Sequence, residues 1–338
     1  MTEKHFFPGG NTCAGFVGFF EDLRTGAGRT IILKGGPGVG KSTLMRAVGA
    51  HYQEKGDDVT YFHCSGDPDS LDAVWARQAD FLMLDGTAPH IVDPRLPGAA
   101  DGIVNLGVCL NEAQLTRDRE AIARLNEAVG ACYARAYRYL AAAQRLRADA
   151  AAVYDAAFSD KARFALEETL CALLPDAPAG RARRLFAQAI TCQGVVQHLD
   201  GAMQGTVYCL DVPWGFDAHA LLSTVLDAAR RRRMARTVFC DPLDATQLGH
   251  LLVGDTLFTT AVLMDARRFA PEMDERLIRR EGARLAFDRA VYDLTLNQAV
   301  EALHEAKENH DRLERYYVDA MDYSRLAAVR QEVMEALP

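Results

Sequence analysis

One stretch of this 338-residue chain limits its fold more than any other, a glycine-rich turn between a strand-like and a helix-like segment. Residues 35–42 fit the pattern G-x-x-x-x-G-K-[ST] at every position, with a β-branched run before them and an apolar-periodic run after them. Gly35 and Gly40 let the chain curl without Cβ clashes, so backbone N–H groups converge where the next helix directs its positive end. Lys41 adds a charge for the outer phosphates, and Ser42 offers a hydroxyl to Mg²⁺. The sequence therefore predicts a nucleotide-phosphate site formed by Gly35, Gly36, Pro37, Gly38, Val39, Gly40, Lys41, Ser42 and Thr43.

A second apolar run, residues 81–84, ends in the carboxylate of Asp85. This is the pattern of a buried parallel strand whose tip faces a ligand, and it predicts that Asp85 holds Mg²⁺ beside Ser42. The segment after the strand tip brings His90 and Asp93 towards the outermost phosphate. His90 is either a group that orients or deprotonates a nucleophile or a structural hydrogen-bonding residue, and Asp93 is a second catalytic candidate. No glutamate directly follows Asp85, which argues against fast hydrolysis.

The rest of the first half predicts alternating strands and helices followed by long helices. Residues 59–64 are β-branched and aromatic and predict a strand, and a helix is expected to begin near Leu71 behind a polar cap. Residues 112–158 have apolar positions at three- and four-residue spacing and predict a long helix, with a second one over 160–173. A proline- and glycine-containing linker, residues 175–180, comes next.

The second half repeats the first. Residues 7–17 and 186–196 share a phenylalanine, a Thr-Cys pair, a glycine and a valine at an offset of 179. The second copy has no Gly-Lys-Ser, carries Asp211 and Trp214 in the loop region, and has threonines where Asp85 would lie. We therefore expect it to be a structural or regulatory domain that does not bind a magnesium nucleotide in the usual way. The predicted division is a nucleotide-binding domain (1–111), a helical arm and linker (112–178), a degenerate domain (179–290) and a C-terminal helical arm (291–338).

Charge and hydropathy bear on partners and location. The net charge of −8 gives no basic field for nucleic acid, and no apolar run reaches membrane-spanning length. Residues 1–15 lack the pattern of a secretory signal, so a cytoplasmic location is expected. Residues 230–233 with Arg236 are expected to form a solvated, basic helix end that the helix dipole favours. The alternative is that an arginine of the second half supplies a cation to the first site, and none of the candidates is favoured: residues 230–233, 267–268 and 279–280.

These motifs together resemble a family of bacterial ATPase-like proteins that carry two tandem P-loop NTPase halves. The resemblance covers most of residues 5–110 and implies ATP as the nucleotide and a RecA- or AAA-like core. This chain departs from that pattern because relatives commonly keep a second Gly-Lys-Ser/Thr. The residues that carry the resemblance are Phe7, Gly9, Gly10, Asn11, Thr12, residues 15–17, 35–43, 62–64, 67–72 and 85–90, and Val92, Asp93 and Pro94.

The expected fold is α/β, with two doubly wound parallel-sheet domains that each carry long helical extensions. The first functional hypothesis is Mg²⁺-dependent ATP hydrolysis at a single site in the N-terminal half. A small-molecule or nucleoside kinase is the second hypothesis. The third is a slow nucleotide-gated switch or scaffold that binds a protein partner or a second copy of the chain.

Overall fold

The first repeat is an α/β domain with a helical arm, seen in a computed structural model that describes residues 2–338. Its helices are α1 (Phe20–Arg24), α2 (Lys41–Glu54), α3 (Glu112–Arg117), α4 (Arg119–Ala157) and α5 (Asp160–Ala172). Its strands are β1 (Glu3–Phe6), β2 (Gly9–Thr12), β3 (Gly15–Gly18), β4 (Arg29–Lys34), β5 (Val59–His63), β6 (Leu71–Ala76), β7 (Phe81–Asp85) and β8 (Asp101–Asn105).

The second repeat has the same succession of elements. Its helices are α6 (His219–Arg231), α7 (Glu275–Arg280), α8 (Gly282–Asp319) and α9 (Tyr323–Glu335). Its strands are β9 (Ala182–Leu185), β10 (Gln188–Thr191), β11 (Gly194–Gln197), β12 (Val207–Leu210), β13 (Arg236–Cys240), β14 (Leu248–Val253), β15 (Thr256–Thr259) and β16 (Arg267–Phe269). Short 3₁₀ helices span Leu106–Cys109 and Leu199–Ala202.

The two six-stranded sheets have the same strand order, which confirms the prediction of two tandem α/β domains. The first sheet runs β1-β5-β6-β7-β4-β8, and the second, read in the matching direction, runs β9-β13-β14-β15-β12-β16. Both sheets are mostly parallel, but β6 and β14 are antiparallel to both of their neighbours. β4 and β7 are direct parallel neighbours with Leu33 opposite Asp85, so the loop after β4 and the tip of β7 lie at one edge.

The structure corrects the expected helix near Leu71, because this segment is strand β6. All six of its residues are buried, and the run Leu-Asp-Ala-Val-Trp-Ala pairs with β5 on one side and β7 on the other. Pairing inside a sheet outweighed the capping signal of the preceding polar residues. The predicted boundary between residues 290 and 291 lies within the continuous helix α8.

The two repeats meet around Phe7 and Phe186, which exchange both of their backbone hydrogen bonds at 2.9 and 3.0 Å. These residues are related by the offset of 179 found in the sequence. One hydrophobic cluster joins the two sheets and includes Ile32 and Leu84 from the first and Leu257 from the second. The repeats therefore share a core.

Helices α4 and α8 are antiparallel and close-packed, since Arg135 near the middle of α4 contacts Glu305, while Asp149 further along α4 contacts Arg284 near the start of α8. Small side chains allow this approach, and Ala136, Ala143, Ala299, Ala302 and Ala306 are buried. The C-terminal part of α4 reaches the degenerate loop, where Ala150 faces Gly215. The C-terminal part of α8 reaches the loop before α2. Each repeat's arm therefore covers the loop of the other repeat.

Candidate nucleotide site

The phosphate loop, residues 35–42, leaves β4 and enters α2 as the sequence predicts. Gly38 and Gly40 have φ values of 69° and 83°, in the left-handed region that favours glycine. Gly40 is the N-cap of α2, and no side chain caps this helix. Its first N–H groups are therefore free of a side-chain acceptor and can bind an anion together with the positive end of the helix.

Lys41 folds back across this loop. Its ammonium donates to the carbonyl oxygens of Gly35 (2.9 Å) and Gly36 (2.8 Å) and lies 3.4 Å from Oδ2 of Asp85. The side chains of Lys41 and Asp85 are each 12 % exposed, so this pair lies largely out of solvent. The structure thus joins the two sequence-predicted groups at one point.

Ser42 and Asp85 supply oxygen atoms suited to Mg²⁺. Oδ1 of Asp85 accepts hydrogen bonds from the backbone N–H (2.9 Å) and hydroxyl (2.6 Å) of Thr87, which fix the carboxylate. The hydroxyl oxygen of Ser42 accepts from the backbone N–H of Leu71 at 3.0 Å and keeps a further lone pair. A fixed carboxylate and a hydroxyl beside a phosphate loop are the donor set that Mg²⁺ uses with substrate phosphates, so these residues fit the ion.

Asp72, on β6, is a second buried carboxylate of the site that the sequence did not assign. Its side chain is 7 % exposed and lies 4.0 Å from Nε2 of His90. Burial, together with the negative charge of Asp85, raises the pKa of Asp72 to about 6, while His90 and Lys41 oppose the rise. The sequence does place this aspartate within an otherwise apolar run, which can mark a functional carboxylate on a buried strand. Because a helix was expected to begin near Leu71, the run was not recognised as a strand and Asp72 was not assigned to the site.

His90 is also buried at the site. Its side chain is 8 % exposed, and its ring stacks on Phe20 with centroids 4.4 Å apart and planes at 12°. Neither ring nitrogen has a hydrogen-bond partner among the described residues. Both nitrogens are closed to solvent in this structure, so the imidazole has an unused donor and an unused acceptor that a ligand or water would reach only after a local rearrangement.

Asp93 has a different environment. Its side chain is 76 % exposed, and its carboxylate lies 3.1 Å from the ammonium of Lys34. That ammonium also donates to the carbonyl oxygens of Gly86 and Val92, both at 2.8 Å. The Lys34–Asp93 pair therefore tethers the segment between β7 and β8, and a catalytic role for Asp93 stays a prediction.

The remaining loop residues pack against the C-terminal arm. Val39 is fully buried in a cluster with Leu106 and Leu326, whereas Thr43 is exposed. A Cβ added to Gly36 would lie 2.6 Å from the ring of Tyr317, and one added to Gly38 would lie 2.6 Å from Cγ of Glu314. Side chains at these positions would therefore displace α8.

The degenerate loop keeps the shape of the first without its chemistry. Gly215 has a φ of 86°, and Nδ1 of His219 accepts from the backbone N–H of Leu248 at 3.0 Å, as Ser42 does from Leu71. No lysine follows this loop, and its helix α6 begins with His219. A cavity of about 410 Å³ beside it contains Arg147, which pairs with Asp241 at 2.8 Å. A lysine-based phosphate site is therefore missing from the second repeat.

Comparisons with known proteins relate only part of the chain to a described family. A family model described as Nephrocystin 3, N-terminal matches residues 17–76. The matched segment contains the phosphate loop, β5 and β6, and ends before Asp85 and the second repeat. Searches of curated proteins and of solved structures found no match. Among residues 2–338, no helix has the length and apolar character needed to cross a bilayer.

Proposed function

We propose that the first repeat binds Mg²⁺–ATP at the phosphate loop and hydrolyses it to ADP and phosphate. The observation that carries the proposal is the meeting of Lys41, the loop carbonyls and Asp85 at one largely buried point. Phosphate oxygens would accept from the Lys41 ammonium and from the free N–H groups at the start of α2. Ser42 and Asp85 would hold Mg²⁺, which neutralises phosphate charge when bound.

In this proposal His90 is the general base that accepts a proton from the water attacking the γ-phosphorus of ATP. Nε2 of His90 faces Asp72 across 4.0 Å, which favours a proton on that nitrogen and leaves Nδ1 to accept one. As the water oxygen bonds to phosphorus and the bond to the bridging oxygen of ADP breaks, the water proton passes to His90. Asp72 would stabilise the resulting imidazolium. This arrangement takes the place of a glutamate after Asp85.

The test is phosphate release from ATP by the purified chain with and without Mg²⁺. We expect Mg²⁺-dependent release that Lys41→Ala abolishes and that Lys55→Ala, at the other end of α2, leaves unchanged. His90→Ala is expected to lower kcat by about 10² to 10⁴, the usual contribution of a positioned acid–base group, with little change in KM. Activity that survives Lys41→Ala would overturn the proposal.

A nucleotide-gated switch is the second candidate function, and one observation favours it. The loop is covered by Tyr317 and Arg330 of the second repeat's arm, so a change at the loop reaches α8 and α9 directly. We expect hydrogen exchange in α9 to differ between the ATP- and ADP-bound chain. Equal exchange in both states would count against a switch. In a switch of this kind, a protein partner or a second copy of the chain would bind one position of the arm more tightly than the other. Kinase activity stays a prediction from the sequence.

A further inference from the structure

An arginine of the second repeat lies against the phosphate loop. Nη2 of Arg330, on α9, donates to the carbonyl oxygen of Gly40 at 3.3 Å. A Cβ on Gly40 would collide with this nitrogen, so the missing side chain makes room for the guanidinium. Gly40 directly precedes Lys41 and the first turn of α2. The guanidinium of Arg330 therefore lies within hydrogen-bonding distance of the backbone where the loop enters α2.

The helix that carries Arg330 is firmly attached to the first repeat. Its N-cap, Asp322, accepts from the N–H of Arg325 and donates its own N–H to the carbonyl of Cys109 at 2.8 Å. Leu326 and Met334 on the same helix pack into hydrophobic clusters of the first repeat. Because α9 is fixed in this way, it holds the guanidinium at Gly40 with little loss of conformational freedom on ligand binding.

The charge of Arg330 is not neutralised within the described chain. Its hydrogen bond goes to a neutral carbonyl, no carboxylate lies within ion-pairing distance, and its Nε is buried without a partner. Several arginines suggested by the sequence differ in this respect: Arg230 pairs with Asp227, Arg268 with Asp211, Arg279 with Glu275 and Arg280 with Glu281. Arg330 thus has N–H donors without a protein acceptor among the described residues, beside the predicted anion-binding loop, and such donors can bind an anion.

We propose that Arg330 is the arginine that the second repeat contributes to the nucleotide site, where its unused N–H groups contact phosphate oxygens near the first turn of α2. The inference rests on the proposed binding of a nucleotide at the loop. It gives the degenerate repeat a role, since the repeat that lost its own lysine supplies a cation to the intact loop. The contact is to phosphate groups that ATP and ADP share, so both nucleotides depend on it.

The test compares equilibrium binding of ATP, ADP and adenosine to the full chain and to three variants. Arg330→Gln keeps an N–H for Gly40 and removes the charge, Arg330→Lys keeps the charge without the planar fork, and Arg325→Gln is the control on the exposed face of α9. We expect Arg330→Gln to weaken ATP and ADP about tenfold to a hundredfold, as for a lost charge-assisted hydrogen bond. Arg330→Lys should recover part of this loss. Adenosine binding and the melting temperature should stay unchanged.

Two results would overturn the inference while leaving the proposed function intact. One is wild-type affinity for ATP and ADP in Arg330→Gln, which would mean that Arg330 only holds the backbone at Gly40. The other is an equal loss of ATP and ADP affinity in the control Arg325→Gln. If Arg330→Gln does not fold, unchanged ATP affinity in Arg330→Met has the same meaning, since both the charge and the N–H donors are lost. A wild-type chain that binds no nucleotide would instead refute the proposed function itself.

Discussion

Replacing Asp72 with asparagine should make the protein more stable at neutral pH and less active. The carboxyl of Asp72 is buried beside Asp85, and its pKa is raised from an ordinary 3.8 to about 6. That difference corresponds to about 3 kcal/mol of destabilisation once the group is ionised, taken as an upper bound. The asparagine side chain would carry no charge, has nearly the same shape, and keeps an oxygen that can accept a hydrogen bond.

The sign follows from proton binding. A carboxyl with a raised pKa in the folded state holds its proton more tightly there than in the unfolded chain. Stability of the wild type therefore falls as pH rises from about 4 to about 6 and stays lower above that range. Since asparagine does not titrate, the advantage of Asp72→Asn should be absent near pH 4 and complete near pH 7.

The assay is thermal unfolding of wild type, Asp72→Asn and the exposed control Asp176→Asn between pH 4 and pH 8. At about 2.1 cal/mol/K per residue, the unfolding entropy of this 338-residue chain is about 0.7 kcal/mol/K, so we expect a rise of at most about 4 °C at pH 7.5 for Asp72→Asn. The control should shift by less than about 1 °C. ATP hydrolysis by Asp72→Asn should fall with little change in KM, because Asp72 acts through His90. A melting temperature below that of wild type at pH 7.5 would refute the charge argument.

Three further predictions test the loop, the metal ligands and the interface between the repeats. Gly38→Ala should abolish ATP binding measured by calorimetry, since Gly38 has a φ of 69° and a Cβ there would lie 2.6 Å from Cγ of Glu314. Gly56→Ala is the control: Gly56 has a φ of 87° with open space around it, so this variant carries the same backbone strain and should bind ATP normally. Ser42→Ala should remove the gain in ATP affinity that Mg²⁺ gives and leave metal-free binding unchanged, as measured by titration with and without Mg²⁺; a persisting gain would exclude Ser42 as a ligand. Asn11→Ala should lower the free energy of unfolding by about 2–4 kcal/mol, because the buried Asn11 amide donates to the carbonyl oxygen of Ser65 in its own repeat and to that of Ile190 across the interface. Tyr137→Phe removes only the 3.2 Å hydrogen bond from its hydroxyl to Asn11 and should lower the free energy of unfolding by about 1 kcal/mol. Both variants are measured by denaturant titration, and an equal loss of stability in the two would contradict the assigned role of the Asn11 amide.

The sequence predicted the features that depend on local chemistry. The loop between β4 and α2 could be placed because its glycine, lysine and hydroxyl positions follow from the backbone geometry needed around an anion, and phosphate binding by it stays a prediction. The C-terminal end of β7 could be predicted because a buried parallel strand appears in the sequence as an apolar run, and this run ends at Asp85. The repeat was visible as a fixed offset between matching residues and predicted the second α/β domain.

The features that the sequence did not predict depend on contacts between distant segments. Asp72 joins the site only because β6 is inserted between β5 and β7, and a local helix signal hid this pairing. Arg330 is 290 residues from Gly40, and only the crossing of the two helical arms brings them together. Asp72 ends the segment 67–72 that carries part of the family resemblance, but its spacing assigned it no role, and Arg330 belongs to none of the motifs recognised in the sequence.

The most direct test of the account is calorimetric titration of the purified chain with ATP, ADP and GTP in the presence of Mg²⁺, beside Lys41→Ala. The account predicts one nucleotide per chain, a preference for ATP and ADP over GTP, and loss of binding in Lys41→Ala without a change in melting temperature. A stoichiometry of two would contradict the assignment of a single working loop. Binding that survives in Lys41→Ala, or no binding by the wild type, would contradict the central claim that residues 35–42 form the nucleotide site.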